Sequence, residues 1–258
     1  MVTERAGHAS EIVRQAGLEH DAVFVLGGDG TVMEVVSVLA DTDRPVGVLP
    51  GGTGNLLAGA LGIPASVSRA VQALLAGDVH RIDLARFSTG EHFAVAAGLG
   101  IDAAMVAATA ATTWKRRFGL GAYVWTAARA SLARDEFELF ADVDDAPVRA
   151  HASLAMVANS GTLFRGLMLL GPDISTHDGT LDLCVFSPSS ALDVFGIIWR
   201  VMRKDFRPHP RMRFWKGKRI RLASDPPRAV QADGELVGVT PVEIEVAPGA
   251  AALLIPRH

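Results

Sequence analysis

The sequence holds a single cysteine, Cys184, among its 258 residues. One thiol allows no internal disulfide and no cysteine-based metal cluster, as is typical of a protein from a reducing compartment. The longest apolar runs, at residues 93–101 and 103–114, are shorter than the roughly 18 residues needed to cross a bilayer. The N-terminus also lacks the apolar core of a secretion signal. We therefore expect a cytoplasmic protein that is either free or associated with a membrane surface.

The net charge of −3 conceals an uneven distribution of basic residues. Residues 200–221 carry ten of the 25 basic residues and one acid, Asp205, which leaves 15 basic against 27 acidic residues elsewhere. The same stretch and its flank contain four aromatic residues: Trp199, Phe206, Phe214 and Trp215. Rings mixed with cations are typical of membrane interfaces, whereas nucleic-acid binding usually goes with a basic domain overall. Residues 199–221 therefore predict peripheral contact with an anionic membrane and no nucleic-acid partner; the alternative is a solvated basic loop.

Helical and strand-like patterns alternate over the first 80 residues. Helical patterns occupy residues 8–16, 31–39 and 66–76, and short apolar strands occupy residues 22–26 and 45–49. This alternation predicts a parallel sheet with helices on its faces. We expect the resulting α/β domain to span residues 1–80.

Beyond about residue 83, short strands separated by turn residues dominate the sequence. Strands are predicted at residues 84–87, 92–97, 136–143, 153–158, 181–186, 219–223, 229–232, 242–246 and 252–255. Helical patterns interrupt them at residues 103–111, 121–133 and 191–203. The expected second domain is a larger, β-rich, mostly antiparallel sandwich that spans residues 81–258.

The strand at residues 22–26 runs directly into a glycine-rich turn that opens the next helix. The turn consists of Gly27, Gly28, Asp29, Gly30 and Thr31. Glycine allows close backbone approach, and amides at a helix N-terminus attract anions at the carboxyl end of a parallel strand. The turn therefore predicts a polyphosphate site. Its carboxylate would repel phosphates unless it bound a metal or took up a proton.

A second glycine-rich turn, at residues 50–55, follows the strand at residues 45–49 and again opens a helical pattern. Turns at the ends of neighbouring strands would together form a cleft; the alternative is that they are ordinary connections that bind nothing. Neither turn has the spacing of a P-loop or of a dinucleotide-binding fingerprint. Any phosphates must therefore be held by amides, hydroxyls and a metal.

The ordered set of motifs resembles the diacylglycerol kinase catalytic family, which includes bacterial lipid kinases and sphingosine and ceramide kinases. Residues 27–34 match the family's Gly-Gly-Asp-Gly-Thr-x-Asn-Glu, residues 50–55 its Pro-x-Gly-Thr-x-Asn, and residues 98–103 its Gly-x-Gly-x-Asp-Ala. Further matches follow in the family's order: Asn159, Pro172, residues 178–182 and residues 233–235. The resemblance covers nearly the whole chain.

The resemblance implies ATP as phosphoryl donor, a lipid as acceptor and Mg²⁺ as cofactor. It implies that ATP is bound by Thr3, Gly27, Gly28, Asp29, Gly30, Thr31, Glu34, Gly52, Thr53 and Asn55. It makes Glu235 the base that takes the proton from the lipid hydroxyl, with Asp233 beside it. It also implies a magnesium site formed by Asp178 and the carbonyl groups of Leu181 and Leu183.

The residues themselves leave other interpretations open. Asp233 and Asp178 are each followed by glycine, and Asp-Gly is a strong signal for a hairpin turn. Asp102 could cap a helix or contact substrate. Met33 stands where the family usually has asparagine, and the family's first strand and its phosphate loop have no counterpart before residue 8.

We therefore expect a two-domain lipid kinase with its chemistry in the cleft between the domains. Residues 103–111 and 161–170 are candidates to line an acyl channel, although such segments are more often core. A NAD kinase, which shares the first turn, and a catalytically silent lipid-binding or regulatory protein remain open. The acceptor also remains open and could be diacylglycerol, a sphingoid base, a polyprenol or a glycolipid. A homodimer is possible.

Overall fold

The computed structural model describes residues 1–16, 19–100, 136–163 and 168–257. Its first part contains two strands, β1 (Val23–Gly27) and β2 (Val46–Pro50), and four helices: α1 (His8–Ala16), α2 (Asp29–Val38), α3 (Leu56–Ala60) and α4 (Val67–Leu75). The strands pair in parallel, with Val23 opposite Val46. Their Val- and Leu-rich sequences suit a parallel sheet covered by helices. The α/β part of the fold prediction is confirmed.

The rest of the described chain consists mainly of strands. These are β3 (Asp78–Phe87), β4 (His92–Phe93), β5 (Ala96–Gly100), β6 (Phe137–Val143), β7 (Ala146–Ala152), β8 (Leu154–Ala158), β9 (Thr162–Leu163), β10 (Met168–Leu169), β11 (Leu181–Phe186), β12 (Met212–Gly217), β13 (Arg219–Asp225), β14 (Ala229–Ala232), β15 (Glu235–Val239) and β16 (Val242–Ile255). One further helix, α5 (Ala191–Met202), precedes β12. None of the helices in the described part of the chain has the length and apolarity that a membrane span requires.

The final strand, β16, joins the α/β part to the β-rich part in one eight-stranded sheet. The main order of this sheet is β1-β2-β16-β13-β6-β7, and β3 and β4 branch from β16. β16 pairs antiparallel with β3 from Ile244 opposite Phe87 to Ile255 opposite Asp78, with a register shift between Ala247 and Ala251. The same strand pairs in parallel with β2 and antiparallel with β13. A single strand near the end of the chain is thus shared by both parts.

A second sheet of six antiparallel strands, in the order β12-β11-β8-β5-β14-β15, packs on the first. Leu181 and Leu183 of its strand β11 lie in one hydrophobic cluster with Leu139 and Ile220 of the larger sheet. Cys184, which follows Leu183, belongs to a different cluster on the other face. β11 is therefore buried on both faces, and the predicted sandwich is confirmed.

Several predicted elements need correction. The strands predicted at residues 242–246 and 252–255 are one strand, and the strand predicted at residues 92–97 is broken between β4 and β5. Strands β7, β12 and β15 were not predicted. The helices predicted at residues 103–111 and 121–133 lie outside the described residues, as does Asp102. The boundary near residue 80 stays a prediction, and β3 runs across it.

Candidate functional site

The first glycine turn connects β1 to α2 as predicted. β1 ends at Gly27, and Gly28, in an extended conformation, is the N-cap of α2. No side chain among the described residues caps this helix. The amides of its first turn are therefore available to an anion. Thr31 packs over Gly27, where an added Cβ atom would lie 2.9 Å from the Thr31 Cβ.

The second glycine turn lies directly against the first. The Gly51 amide donates a hydrogen bond of 2.9 Å to the Gly27 carbonyl. A Cβ atom added at Gly52 would overlap the Gly28 Cα. The Asn55 side chain closes the second turn, because its Oδ1 accepts from the Gly52 amide at 2.9 Å and its Nδ2 donates to the Gly52 carbonyl at 2.8 Å. The two turns therefore form one continuous backbone surface.

The Asp29 carboxylate faces the second turn and caps the start of α3. Its Oδ1 accepts a hydrogen bond from the Leu56 amide. Burial raises the pKa of Asp29, while hydrogen bonds from the amides of Asn55, Leu56 and Leu57 act in the opposite direction. A Cβ atom at Gly54 would lie 2.5 Å from Asp29 Oδ2, so a glycine is needed there. These contacts give the carboxylate a role other than facing phosphate.

Glu34 lies on α2 and its carboxylate contacts the beginning of α1, and Thr3 precedes α1. Glu34 Oε1 accepts from the Gly7 amide at 2.7 Å, and Oε2 accepts from the Ala9 amide at 3.0 Å. The Glu34 carboxylate thus holds the N-terminus of α1 onto α2. Thr3 and Thr53 are exposed. The nucleotide contacts expected of these three side chains stay predictions.

Asp233 occupies the tight turn between β14 and β15. It has a positive φ of 47°, and Gly234 follows with a φ of 93°, so the hairpin interpretation is correct for the backbone. The side chain nevertheless points inward and is only 8% exposed. Its carboxylate accepts hydrogen bonds from the amides of Ala94 at 2.8 Å, Val95 at 3.0 Å and Ala96 at 3.0 Å.

These three amides come from the break between β4 and β5, where ladder pairing is interrupted. Burial raises the pKa of Asp233 to about 6, although the amide hydrogen bonds oppose the shift, and the nearby Asp29 contributes a smaller repulsion. The buried carboxylate ties the β14–β15 hairpin to the β4–β5 connection. It thereby fixes the position of Glu235, which begins β15.

Glu235 lies against the first glycine turn. A Cβ atom added at Gly30 would overlap the Glu235 Oε1 atom. Glu235 itself is exposed, so its carboxylate is accessible from solvent. The fold therefore brings an acid from residue 235 next to a turn at residue 30, as the sequence analysis expected. Its role as a base stays a prediction.

Asp178, the carboxylate expected to bind magnesium, lies against the ammonium group of Lys216, whereas Leu181 and Leu183 lie on β11 with buried side chains. Lys216 Nζ donates to Asp178 Oδ2 at 2.8 Å and to the Asp173 carbonyl at 3.1 Å, and it lies 3.5 Å from Asp182 Oδ2. Thr180 also donates to Asp178 Oδ1 from its backbone and its hydroxyl. Asp178 is thus already engaged by an internal cation, and the arrangement does not fit a metal ion at this carboxylate. No cluster suited to a metal occurs elsewhere among the described residues.

Sequence reasoning missed Lys216, because only the pairing of β11 with β12 places it opposite Asp182. It also missed Asp83, which is 4% exposed and accepts from the amides of Gly179 at 2.7 Å and Gly249 at 2.8 Å. Asn159, singled out by the resemblance, is fully buried and donates to the carbonyls of Asp83 and Ala94. The signal available in the sequence was an Asp or Asn among apolar neighbours, which indicates a polar side chain buried in the core.

Comparison with known proteins assigns the chain to a class. The family model described as "Diacylglycerol kinase catalytic domain" matches residues 1–87, and the one described as "YegS C-terminal NAD kinase beta sandwich-like domain" matches residues 94–255. The two matches together cover both parts of the fold. The chain belongs to the family defined by the YegS C-terminal NAD kinase beta sandwich-like domain, and its first 87 residues match the diacylglycerol kinase catalytic domain.

Relatives and solved structures agree with this assignment. An uncharacterised protein of Synechocystis is 28% identical and aligns over 99% of this chain and 60% of its own length. A Staphylococcus aureus protein named "Putative lipid kinase" is 29% identical over 91% of this chain and 77% of its own length. A crystal structure described as "a putative diacylglycerol kinase" from Bacillus anthracis superposes with a TM-score of 0.81 at 25% identity and covers 98% of this chain and 82% of that one. The chain therefore spans less than two thirds of the cyanobacterial relative.

Proposed function

We propose that the protein is an ATP-dependent lipid kinase that phosphorylates a hydroxyl group of a lipid. The observation that carries this proposal is the contact between Glu235 and Gly30. It puts an exposed acid beside backbone amides suited to a phosphate chain. The family of the chain supports phosphoryl transfer as the reaction.

The two glycine turns would hold the triphosphate of MgATP. Gly28 and Gly52 touch through their backbones, so the two turns border one surface. The free N-terminus of α2 adds its dipole. Phosphoryl transfer depends mostly on placement and on neutralising charge, and amides provide both. Mg²⁺ would enter as part of the nucleotide substrate.

Glu235 would act as the general base. Its carboxylate accepts the proton of the acceptor hydroxyl as the oxygen forms a bond to the γ-phosphorus, while the bond from that phosphorus to the bridging oxygen breaks and ADP leaves. Asp233 is a positioning residue, since its three amide hydrogen bonds keep its carboxylate away from the reacting atoms.

The strand that carries Glu235 favours a lipid acceptor. Leu236, Val237 and Val239 are 53%, 39% and 57% exposed. Large apolar side chains next to a base would suit an acyl or isoprenoid chain better than a soluble nucleotide. Residues 103–111 and 164–167 of the segments expected to line an acyl channel lie outside the described residues. The identity of the lipid stays open among diacylglycerol, sphingoid bases, polyprenols and glycolipids.

The test is a transfer assay with labelled ATP, Mg²⁺ and a panel of dispersed lipids. We expect Glu235→Ala to lower turnover by about 10²- to 10⁴-fold, the usual contribution of a positioned base, and to retain nucleotide binding. Glu136→Ala is the matched control, because Glu136 is also an exposed acid just outside a strand. Equal turnover of Glu235→Ala and the parent would refute the assigned base. Phosphorylation of NAD in place of every lipid would refute the lipid acceptor, and absence of any turnover would refute the kinase.

A further inference from the structure

Helix α5 is apolar on two opposite faces. Val194, Ile197 and Val201 are buried against the core. Four large apolar side chains are instead exposed: Leu192 at 83%, Phe195 at 64%, Trp199 at 52% and Met202 at 48%. An amphipathic surface helix normally shows polar residues on its solvent side. The outer side of α5 therefore needs an explanation that the core does not provide.

The four exposed side chains form a continuous row, which we call the outer α5 row. Their positions, 192, 195, 199 and 202, follow the three- and four-residue spacing of one helix face. At 1.5 Å per residue the row extends over about 15 Å. Isolated exposed apolar residues are common, but a row of four large ones marks an interaction surface.

Basic groups lie at the C-terminal end of the same row. Arg203 packs over the Trp199 ring at 5.6 Å from its centroid, and Lys204 follows it in the turn that ends the helix. Within the described residues, neither cation pairs with a carboxylate. Charges beside the apolar row are therefore free to meet an anionic partner.

Much of the basic segment singled out in the sequence is not free. Arg200 and Arg207 pair with Asp205, and Arg211 pairs with Asp193. Three cations of the strands that follow pair as well: Lys216 with Asp178, Arg219 with Asp145 and Arg221 with Glu243. Among the described residues, Arg213 and Lys218 also have no carboxylate partner, but α5 and the two cations that end it join unpaired charge to a row of exposed large apolar side chains. They are therefore the candidate surface within residues 199–221.

We propose that the outer α5 row inserts into the surface of a membrane that contains anionic lipids, with Arg203 and Lys204 at the headgroups. The proposal rests on the proposed function, which requires access to a lipid. It adds the element through which the protein reaches the bilayer. Interfacial helices bury an apolar face about 5–10 Å deep and place cations on anionic headgroups. α5 has both features, an exposed apolar face and cations at its C-terminal end. Its other face packs on the folded core.

Vesicle sedimentation tests the proposal directly. We expect the protein to bind vesicles of phosphatidylglycerol and phosphatidylcholine and to bind pure phosphatidylcholine at least about tenfold more weakly, since each cation near an anionic surface contributes to affinity. The double substitution Leu192→Ser with Phe195→Ser should lower binding to the mixed vesicles by at least about tenfold. Arg203→Glu with Lys204→Glu should do the same, most strongly at low salt.

Matched controls keep the test specific. Leu75→Ser removes a residue that is 71% exposed on α4, and Arg69→Glu reverses an exposed charge on the same helix; both should leave binding unchanged. Binding should shift Trp199 emission to shorter wavelength, and Trp199→Phe should bind but lose that shift. Glu235→Ala should bind like the parent, so failure of the assigned base and failure of this surface are distinguishable.

Two results would overturn the proposal. One is equal vesicle binding by the parent and the Leu192→Ser, Phe195→Ser variant. The other is a parent that does not bind vesicles but is dimeric in solution and becomes monomeric in that variant, which would assign the outer α5 row to contact between two copies of the chain.

Discussion

Gly30 is the residue at which the two halves of the candidate site meet. Its missing side chain leaves room for the Glu235 carboxylate, and the same turn presents the amides of the α2 N-terminus. The motif that contains Gly30 indicated a phosphate site from spacing alone. The contact with Glu235 depends on folding across some 200 residues of sequence, so the pattern could not reveal why a glycine stands at this position.

We expect Gly30→Ala to impair catalysis without unfolding the protein. The new Cβ would overlap Glu235 Oε1, and the exposed glutamate would turn away from the site. A displacement of about 1 Å in a reacting group costs on the order of 10²-fold in rate. Turnover in the lipid kinase assay and the melting temperature are the measurements.

Gly238→Ala provides the comparison, because an added Cβ there has no heavy atom within 4 Å. It should retain the turnover of the parent. Full activity in Gly30→Ala would show that the Glu235 carboxylate is not needed at the position the structure gives it.

Among the elements, helices and strands with a strong apolar pattern were predicted best. The helix at residues 8–16 and the strands at residues 181–186 and 229–232 have the predicted bounds. The missed strands are those with little apolar alternation: β15 is exposed at every position, and β7 is mostly exposed. Such strands form because their backbones pair with a neighbouring strand. The periodicity of the sequence does not indicate this pairing.

The same limit applies to the candidate site. The two glycine turns and the Asp-Gly-Glu hairpin were found because each is a local motif. The ammonium of Lys216 at Asp178 was not, because it depends on the register between β11 and β12. Likewise, the amides that hold Asp233 are free only because the strand predicted at residues 92–97 is interrupted.

At the β11–β12 pair we expect stability to depend on Lys216 and not on added metal. Lys216→Met would leave Asp178 and the 6% exposed side chain of Asp182 without a cation. Because Lys216 is itself 39% exposed, the loss should be about 1–2 kcal/mol, which lowers the melting temperature by roughly 2–8 °C in a chain of this size. Replacing Mg²⁺ with EDTA should leave the melting temperature of the parent unchanged.

Lys218→Met is the matched control, since this neighbouring lysine makes its hydrogen bonds to Asp144 through its backbone. Its melting temperature should stay close to that of the parent. A parent protein destabilised by EDTA, or a Lys216→Met variant as stable as the parent, would contradict the role of the ammonium.

On the scale of the whole molecule, β16 makes the two parts of the protein interdependent. It pairs with β2 in the α/β part and with β13 in the β-rich part, and it runs beside β3 for most of its length. One hydrophobic cluster contains residues of both parts, such as Val48 and Cys184, a second lies in the β-rich part, and one sheet passes through both parts. Unfolding of either part would break ladders that the other needs.

We therefore expect a single cooperative unfolding transition. Leu253→Ala, in the cluster that contains residues of both parts, and Leu139→Ala, in the cluster of the sandwich, both remove fully buried side chains. Each should lower the free energy of unfolding by about 2–5 kcal/mol. In urea, circular dichroism and tryptophan fluorescence should give coincident curves for the parent and both variants. A second transition that appears in Leu253→Ala alone would show that the two parts unfold separately.

The position of β16 also has a consequence for biosynthesis. A ribosome releases β1, β2 and β3 long before residues 242–255 leave the exit tunnel, so the early strands wait for a partner that is translated much later than they are. Unpaired strand edges of this kind are sites where nascent chains associate wrongly. Co-translational folding of the α/β part is therefore incomplete until β16 has been translated, and premature termination anywhere before β16 would yield a product without its shared strand.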